Sequence, residues 1–264
     1  MVDKVVLYTE RDHVALVTLN SSGKDNVIDG SLSQQLLEAC VEINQNDGVY
    51  VAVITGAGDK AFCAGNELEN LTRAGKSLPE ALRELDSSGV RYEVASAVAM
   101  IDKPVIAAIN GDALGQGLEL ALSCDIRMAA ESARFGFPDT ASGLMPMDGG
   151  TQRLPRIIGK SKALEMILGG QVIGAEEALN IGLVTGVVPR DVAAAAMSVA
   201  QNMATKAPIA MRYVKEAVNK GLDMTLDQGI RLEADLYFLI HTTADRTEGI
   251  KAFQEKRKPT FRGK

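Results

Sequence analysis

From residue 4 to about 190, short apolar runs of strand length come in twos, and each couple is followed by a segment with helical spacing. Past about 190 only the helical spacing continues. Strict strand–helix alternation would predict a doubly wound parallel sheet. Two strands per helix predicts instead an α/β coil of ββα turns, closed by a helical tail.

The runs can be placed in order. Residues 4–9 (KVVLYT) and 13–19 (HVALVTL) are rich in Val and Leu and flank the polar Glu10-Arg11-Asp12, as two strands would. Residues 20–29 form a loop. Apolar residues at Leu32, Leu36, Leu37, Cys40, Val41 and Ile43 predict a helix over 31–46. A strand over 49–55 ends at Gly56-Ala57-Gly58, and a short strand within 61–68 turns at Gly65. Residues 69–101 are helical in composition. A polar interruption falls at 70–77, and Pro79 lies near the first turn of a second helix. Further strands are expected at 105–109, 126–129 and 183–188. Helices are expected at 118–123, 149–158, 161–168, 175–181, 190–204, 208–220, 223–240 and 244–256. A length of 264 residues suits a core over 1–190 with a helical segment over 191–264, and no low-complexity linker divides them.

The totals exclude several classes. A net charge of −6 leaves no broad basic face for nucleic acid, and the absence of Trp with 4% aromatics weakens base stacking. No stretch of about 20 apolar residues predicts a membrane span. The first residues, MVDKVVLYTERD, lack a signal peptide's apolar centre. Cys40, Cys63 and Cys124 are odd in number and without metal-ligand spacing, which fits free thiols in a reducing compartment, hence the cytoplasm. With only His13 and His241, a multi-histidine metal site is excluded.

Chemistry concentrates between Lys103 and Pro155. There an apolar strand runs into a turn holding Gly111, Gly115 and Gly117, and Glu119 stands at the start of an otherwise apolar helix. Asp139 follows a proline, and Asp148 precedes Gly149-Gly150. A carboxylate among Leu118, Leu120, Ala121 and Leu122 needs a partner or a role, although the dipole of its own helix also favours an acid there. Asp139 suits a loop or cap as well as a site. Asp148 suits the N-cap of the helix that follows it. The turns Gly65-Asn66 and Gly115-Gln116 each follow a strand, so their N–H groups could converge on an anionic oxygen, or they could be plain tight turns.

Five motifs in order, AFCAGNEL (61–68), KPVIAAINGDALGQGLELALSCDIRMA (103–129), FGFPDTASGLMPMDGGTQRLPRIIG (135–159), AEEALNIGLVTGVV (175–188) and KAFQEKRKPTF (251–261), give the chain a resemblance to the crotonase, or enoyl-CoA hydratase/isomerase, superfamily over essentially its whole length. That resemblance implies a crotonase-type superhelix of ββα turns with a C-terminal helical segment. It also implies a thioester enolate held by two backbone N–H groups, of Asn66 and Gln116. The second of these positions is usually glycine in the family. The family's two catalytic glutamates map onto Glu119 and, one methylene shorter, Asp139. Asp148 falls where the dienoyl-CoA isomerase branch carries a third carboxylate.

The implied activity is hydration of an α,β-unsaturated acyl-CoA. The alternatives are isomerisation or hydration of a dienoyl- or cyclic enoyl-CoA, and a catalytically silent acyl-CoA-binding protein of the same fold. Coenzyme A enters as part of the substrate, and no separate cofactor or metal is implied. Its contacts would be Lys24, Val27, Ala64, Gly65, Leu68 and Gly115, with Phe253 and Lys256 reaching across a subunit boundary. The helical tail implies a homotrimer, or a hexamer of two trimers.

Overall fold

The computed structural model describes residues 4–21, 23, 25–66, 77, 79, 80, 83 and 93–264, with the side chain of residue 142 excepted. Its strands are β1 (Val6–Arg11), β2 (Val14–Leu19), β3 (Val51–Gly56), β4 (Ala61–Cys63), β5 (Val105–Ile109), β6 (Asp112–Leu114), β7 (Ile126–Ala130), β8 (Arg134–Gly136), β9 (Val172–Gly174) and β10 (Gly186–Val188). Its helices are α1 (Gly30–Gln45), α2 (Val94–Ala99), α3 (Gln116–Ser123), α4 (Gly150–Ile158), α5 (Lys160–Gly169), α6 (Ala175–Asn180), α7 (Val192–Ala204), α8 (Pro208–Gly221), α9 (Leu226–Ile240) and α10 (Ala244–Gln254), with a 3-10 turn over Pro138–Ser142.

The coupled strands do not pair with each other beyond β1 and β2. The couples β3–β4, β5–β6 and β7–β8 each split between two sheets. A six-stranded sheet runs β1-β2-β3-β5-β7-β10, and a four-stranded one runs β4-β6-β8-β9. Apart from the antiparallel β1–β2 and β8–β9 pairs, every pairing is parallel. The chain therefore lays one strand in the large sheet, turns, lays the next in the small sheet, and returns through a helix. This is the expected superhelix of ββα turns.

Alternation in the large sheet explains its continuous apolar runs. Ala52 and Ile54 of β3, with Val105, Ala107 and Ile109 of β5, face the principal core that the small sheet and α1–α6 complete. Val51, Val53, Ile106 and Ala108 face the other way, onto α7. A parallel sheet covered on both sides carries no polar face, so its strands read as unbroken apolar runs. Helix α7 presents Val192, Ala196, Ala200 and Ala204 to the sheet, one residue every four, and the small side chains let the helix lie close.

Three features differ from expectation or fall outside view. The three-residue strands β6, β8 and β9 were not expected; 111–117 reads as turn alone. Strands this short carry no measurable period and exist by pairing with their neighbours. The last strand is confined to Gly186–Val188. Within the expected helical stretch 69–101, α2 is present, and most of 69–92 lies outside the described residues.

Candidate active site

Strands β4, β6 and β8 are parallel neighbours, with Cys63 opposite Ala113 and Leu114 opposite Gly136. Their carboxyl ends therefore emerge at one edge. In open sheets, ligand sites gather at that end of the strands. Here β4 leads into Ala64-Gly65-Asn66, β6 into Gly115-Gln116, and β8 into Phe137-Pro138-Asp139. The topology alone thus brings together both glycine turns and the second carboxylate.

The two turns are built for close approach. Gly65 has φ 112° and Gly115 φ 53°, in the region that favours glycine. The Gly115 N–H donates to the Gly136 carbonyl at 3.0 Å, tying the second turn to the strand that carries Asp139. Gln116 is the first residue of α3, and N–H groups of a helix's first turn point out of its end, where the dipole favours an anion. Helix α3 lies hard against β4: a Cβ at Gly117 would fall 1.9 Å from the Cys63 carbonyl oxygen, so only glycine fits. The loop 20–29 is laced to the first turn. Ile28 N–H donates to the Gly65 carbonyl at 2.9 Å, and Ala64 N–H to that of Asp25 at 3.1 Å. Buried Asn26 spans the loop, giving its amide to the carbonyls of Ala57 at 3.1 Å and Ala61 at 2.9 Å. Val27 is buried in this loop beside Ala64 and Gly65, whereas Lys24 and Leu68 lie outside the described residues.

Glu119 is 1% exposed, on the first turn of α3. Its Oε1 accepts from two backbone N–H groups, of Asp148 at 2.8 Å and of Gly150 at 2.7 Å. Burial is the main force on its titration, and the nearby Asp148 charge adds to it. The N–H groups of Gly150, Asp148 and Met147 pull the other way, and the carboxyl ends at about 7. A carboxyl poised there can hold or release a proton near neutral pH.

Asp139 is 2% exposed, on the 3-10 turn that Pro138 opens. Its carbonyl accepts the Leu144 N–H at 2.9 Å, which closes the turn. Its Oδ2 is buried and has no hydrogen-bond partner among the described residues. An orphaned buried acceptor costs about 1–3 kcal/mol and calls for an explanation. A ligand-facing role supplies one.

Asp148 departs from the sequence expectation. The N-cap of the following helix α4 is Gly149, in a left-handed conformation at φ 100°, and that turn carries the Asp148 side chain away from α4. Its carboxylate instead reaches the start of α2, more than 50 residues earlier in the chain. Oδ2 accepts the Ala95 N–H at 2.6 Å, and Oδ1 accepts the Ser96 N–H at 3.1 Å and the Ser96 hydroxyl at 2.7 Å. The N-cap residue of α2, Glu93, makes no side-chain cap bond, so Asp148 caps α2 from outside it.

The two oxyanion candidates also send side chains to this loop. Gln116 Nε2 lies 3.4 Å from Asp148 Oδ2, and Asn66 Nδ2 lies 3.6 Å from Met147 Sδ. Met147, Ser96, Asn26 and the Gly150 N–H were not singled out from the sequence. The only available signal, the Gly149-Gly150 pair, pointed to a helix start. Phe253 and Lys256 lie on and just beyond α10, both exposed, and take no part in the hydrogen bonds that hold Glu119 and Asp148.

The family model for enoyl-CoA hydratase/isomerase matches residues 9–264. The chain is 38% identical over 260 residues to the 2,3-dehydroadipyl-CoA hydratase of Escherichia coli, covering 98% of this chain and 99% of that one. It is 40% identical over 254 residues to the (E)-benzylidenesuccinyl-CoA hydratase of Thauera aromatica, covering 96% of each. The crystal structure of an enoyl-CoA hydratase from Bacillus anthracis superposes with a TM-score of 0.91 at 40% identity, over 98% of this chain and all of that one.

Proposed function

This chain belongs to the enoyl-CoA hydratase/isomerase family, and from that premise we propose that it hydrates an α,β-unsaturated acyl-CoA at the edge where β4, β6 and β8 end. The observation that carries the assignment is the pair of buried carboxyls there. Glu119 is poised at about 7, and Asp139 has an unsatisfied buried oxygen.

With Oε1 held by two N–H groups, Glu119 works through its other oxygen. Together with Asp139 it holds one water against the C=C. One carboxylate takes a proton as the water oxygen bonds to the β-carbon. The π electrons pass through the α-carbon to the thioester oxygen, which the N–H groups of Asn66 and Gln116 stabilise. The partner acid then returns a proton to the α-carbon, so one water is consumed and nothing is oxidised. Asp139 reaches about one C–C bond less far than the glutamate usual in the family, so the acyl group must sit closer to the 3-10 turn.

Val27, Ala64, Gly65 and Gly115 offer backbone and apolar surface to the pantetheine end of coenzyme A, with Lys24 and Leu68 flanking them in sequence. Phe253 and Lys256 fit a contact to the nucleotide of a substrate bound in a neighbouring copy, Lys256 as a mobile point charge for phosphate. That arrangement goes with a trimer or a pair of trimers, assembled through the 191–264 segment in the cytoplasm. Hydration is favoured over dienoyl isomerisation because the third carboxylate required for the latter, Asp148, gives both its oxygens to α2.

Loss of the conjugated thioester's ultraviolet absorbance with crotonyl-CoA, in wild type and Glu119→Gln, tests the assignment. Strong loss of turnover in the variant is expected. Unchanged turnover removes Glu119 from the mechanism, and tight acyl-CoA binding without turnover in wild type across linear, dienoyl and cyclic substrates makes the protein a binder.

A further inference from the structure

We propose that Asp148 is a positioning residue: its carboxylate anchors the 147–150 loop to α2, and the anchored loop holds Glu119 and Gln116 in register. The inference rests on the hydratase assignment for its kinetic consequences, but not for its geometry.

The Asp148 side chain and its own peptide do different things. The carboxylate accepts from Ala95 and Ser96 at the start of α2, and from Gln116 Nε2 at 3.4 Å. The peptide N–H of the same residue donates to Glu119 Oε1 at 2.8 Å, and the N–H of Gly150, two residues on, donates to that oxygen at 2.7 Å. Fixing the side chain therefore fixes the direction of both donors. Because Gln116 leans on the same carboxylate, the residue that offers the second oxyanion N–H is tied to the residue that orients the acid/base. The loop has a third tether, the Arg153 guanidinium, which donates to the Asp148 carbonyl at 2.7 Å.

Among the described residues, other charge on the elements around Glu119 is sparse, and the 3-10 turn contributes Asp139. Helix α2 carries no ionisable residue, and β4 carries only the buried thiol of Cys63. Helix α4 contributes Arg153 and Arg156, while Asp112 on β6 is engaged by Arg134. A group that organises a site through its neighbours affects rate more than binding, since small misplacements of reacting groups are costly.

Ser96→Ala tests this directly, because it loosens the anchor while leaving the Asp148 charge in place. The two readouts are kcat and KM for crotonyl-CoA, and titration of the Glu119 carboxyl by 13C NMR, assigned by difference from Glu119→Gln. Positioning predicts a severalfold fall in kcat with little change in KM. It also predicts an upward move of the Glu119 titration, because N–H bonds that favour its charged form weaken. Ser96→Thr, which keeps the hydroxyl, restores both. Asp148→Asn is expected to lower kcat about 10- to 100-fold.

Wild-type kcat and an unmoved Glu119 titration in Ser96→Ala overturn the inference and leave Asp148 a helix cap. Loss of an isomerase activity in Asp148→Asn, with the Glu119 titration unmoved in Ser96→Ala, overturns it in favour of a third catalytic carboxylate. If the wild-type protein turns over no enoyl-CoA, the hydratase assignment fails while the NMR titration still decides the inference.

Discussion

The Gly150 N–H donates to Glu119 Oε1 at 2.7 Å, and a Cβ placed on Gly150 would stand 2.9 Å from that same oxygen. The two residues are in contact through atoms that only glycine can bring together. The hypothetical Cβ would also meet Phe137 Cζ at 2.8 Å and Pro146 Cβ at 2.9 Å, both parts of a packed wall. Gly150→Ala should therefore push the Glu119 carboxylate out of its cradle. About 1–3 kcal/mol of stability is expected to be lost from overpacking. A fall in kcat of at least about tenfold should accompany it. Chemical denaturation and steady-state kinetics on the same preparation check both.

Glu119→Gln should separate activity from stability. Turnover falls about 10²- to 10⁴-fold if proton transfer is lost. Stability moves the other way, and the sign follows from linkage. Burial raises the folded carboxyl to about 7 from an ordinary 4.5. Between those values the unfolded chain releases its proton while the folded one keeps it, so rising pH erodes wild-type stability until about 7. The full penalty, about 3 kcal/mol, is present above that pH and absent below about 4.5. The Gln variant should thus gain most in Tm over wild type above pH 7, and the gain should shrink toward pH 4.5.

Asp139→Asn should abolish most turnover while leaving the fold intact. Oδ2 gives up no hydrogen bond in the exchange, because it makes none among the described residues. A similar thermal midpoint with a fall in kcat of about 10²-fold or more is expected. A variant with normal kcat would leave the buried, unsatisfied oxygen without a functional explanation.

Lys103 offers a contrast from outside the site. It is 3% exposed, and its Nζ donates to the carbonyls of Ile43 and, at 2.6 Å, Asn46, satisfying the carboxyl end of α1. Lys103→Met removes this donor from both carbonyls, and among the described residues Asn46 alone keeps a second one, the Val49 N–H at 3.1 Å. A loss of about 1–3 kcal/mol is expected, with kcat for enoyl-CoA unchanged. Parallel urea melts and kinetics would show whether stability and turnover part company as stated.

Much of the fold is legible because it is written in local runs. The apolar stretch 105–109 is strand because β5 is covered on both faces, and the alanines spaced by four in 192–204 are helix because one stripe meets the sheet. Glu119 stands out for a similar reason, as an acid in a neighbourhood that buries it, whereas Asp139 reads equally as a loop or cap residue and only the family resemblance singles it out. The short strands β6, β8 and β9 were not legible. Three residues hold no period, and what makes them strands is a partner elsewhere in the chain.

Asp148 marks the boundary most sharply. By itself the sequence determined the ββα succession, the helical tail, the glycine turns and the acids to watch, since each depends on spacing within about one element. Only the tertiary structure decided what Asp148 does. Its neighbours in sequence, Gly149 and Gly150, suggest a cap for α4. The left-handed turn at Gly149 sends the carboxylate to Ala95 and Ser96 instead, and leaves its N–H for Glu119. A hydrogen bond across more than 50 residues leaves no trace in local spacing, because the separation that makes it is set by how two sheets and a helix pack.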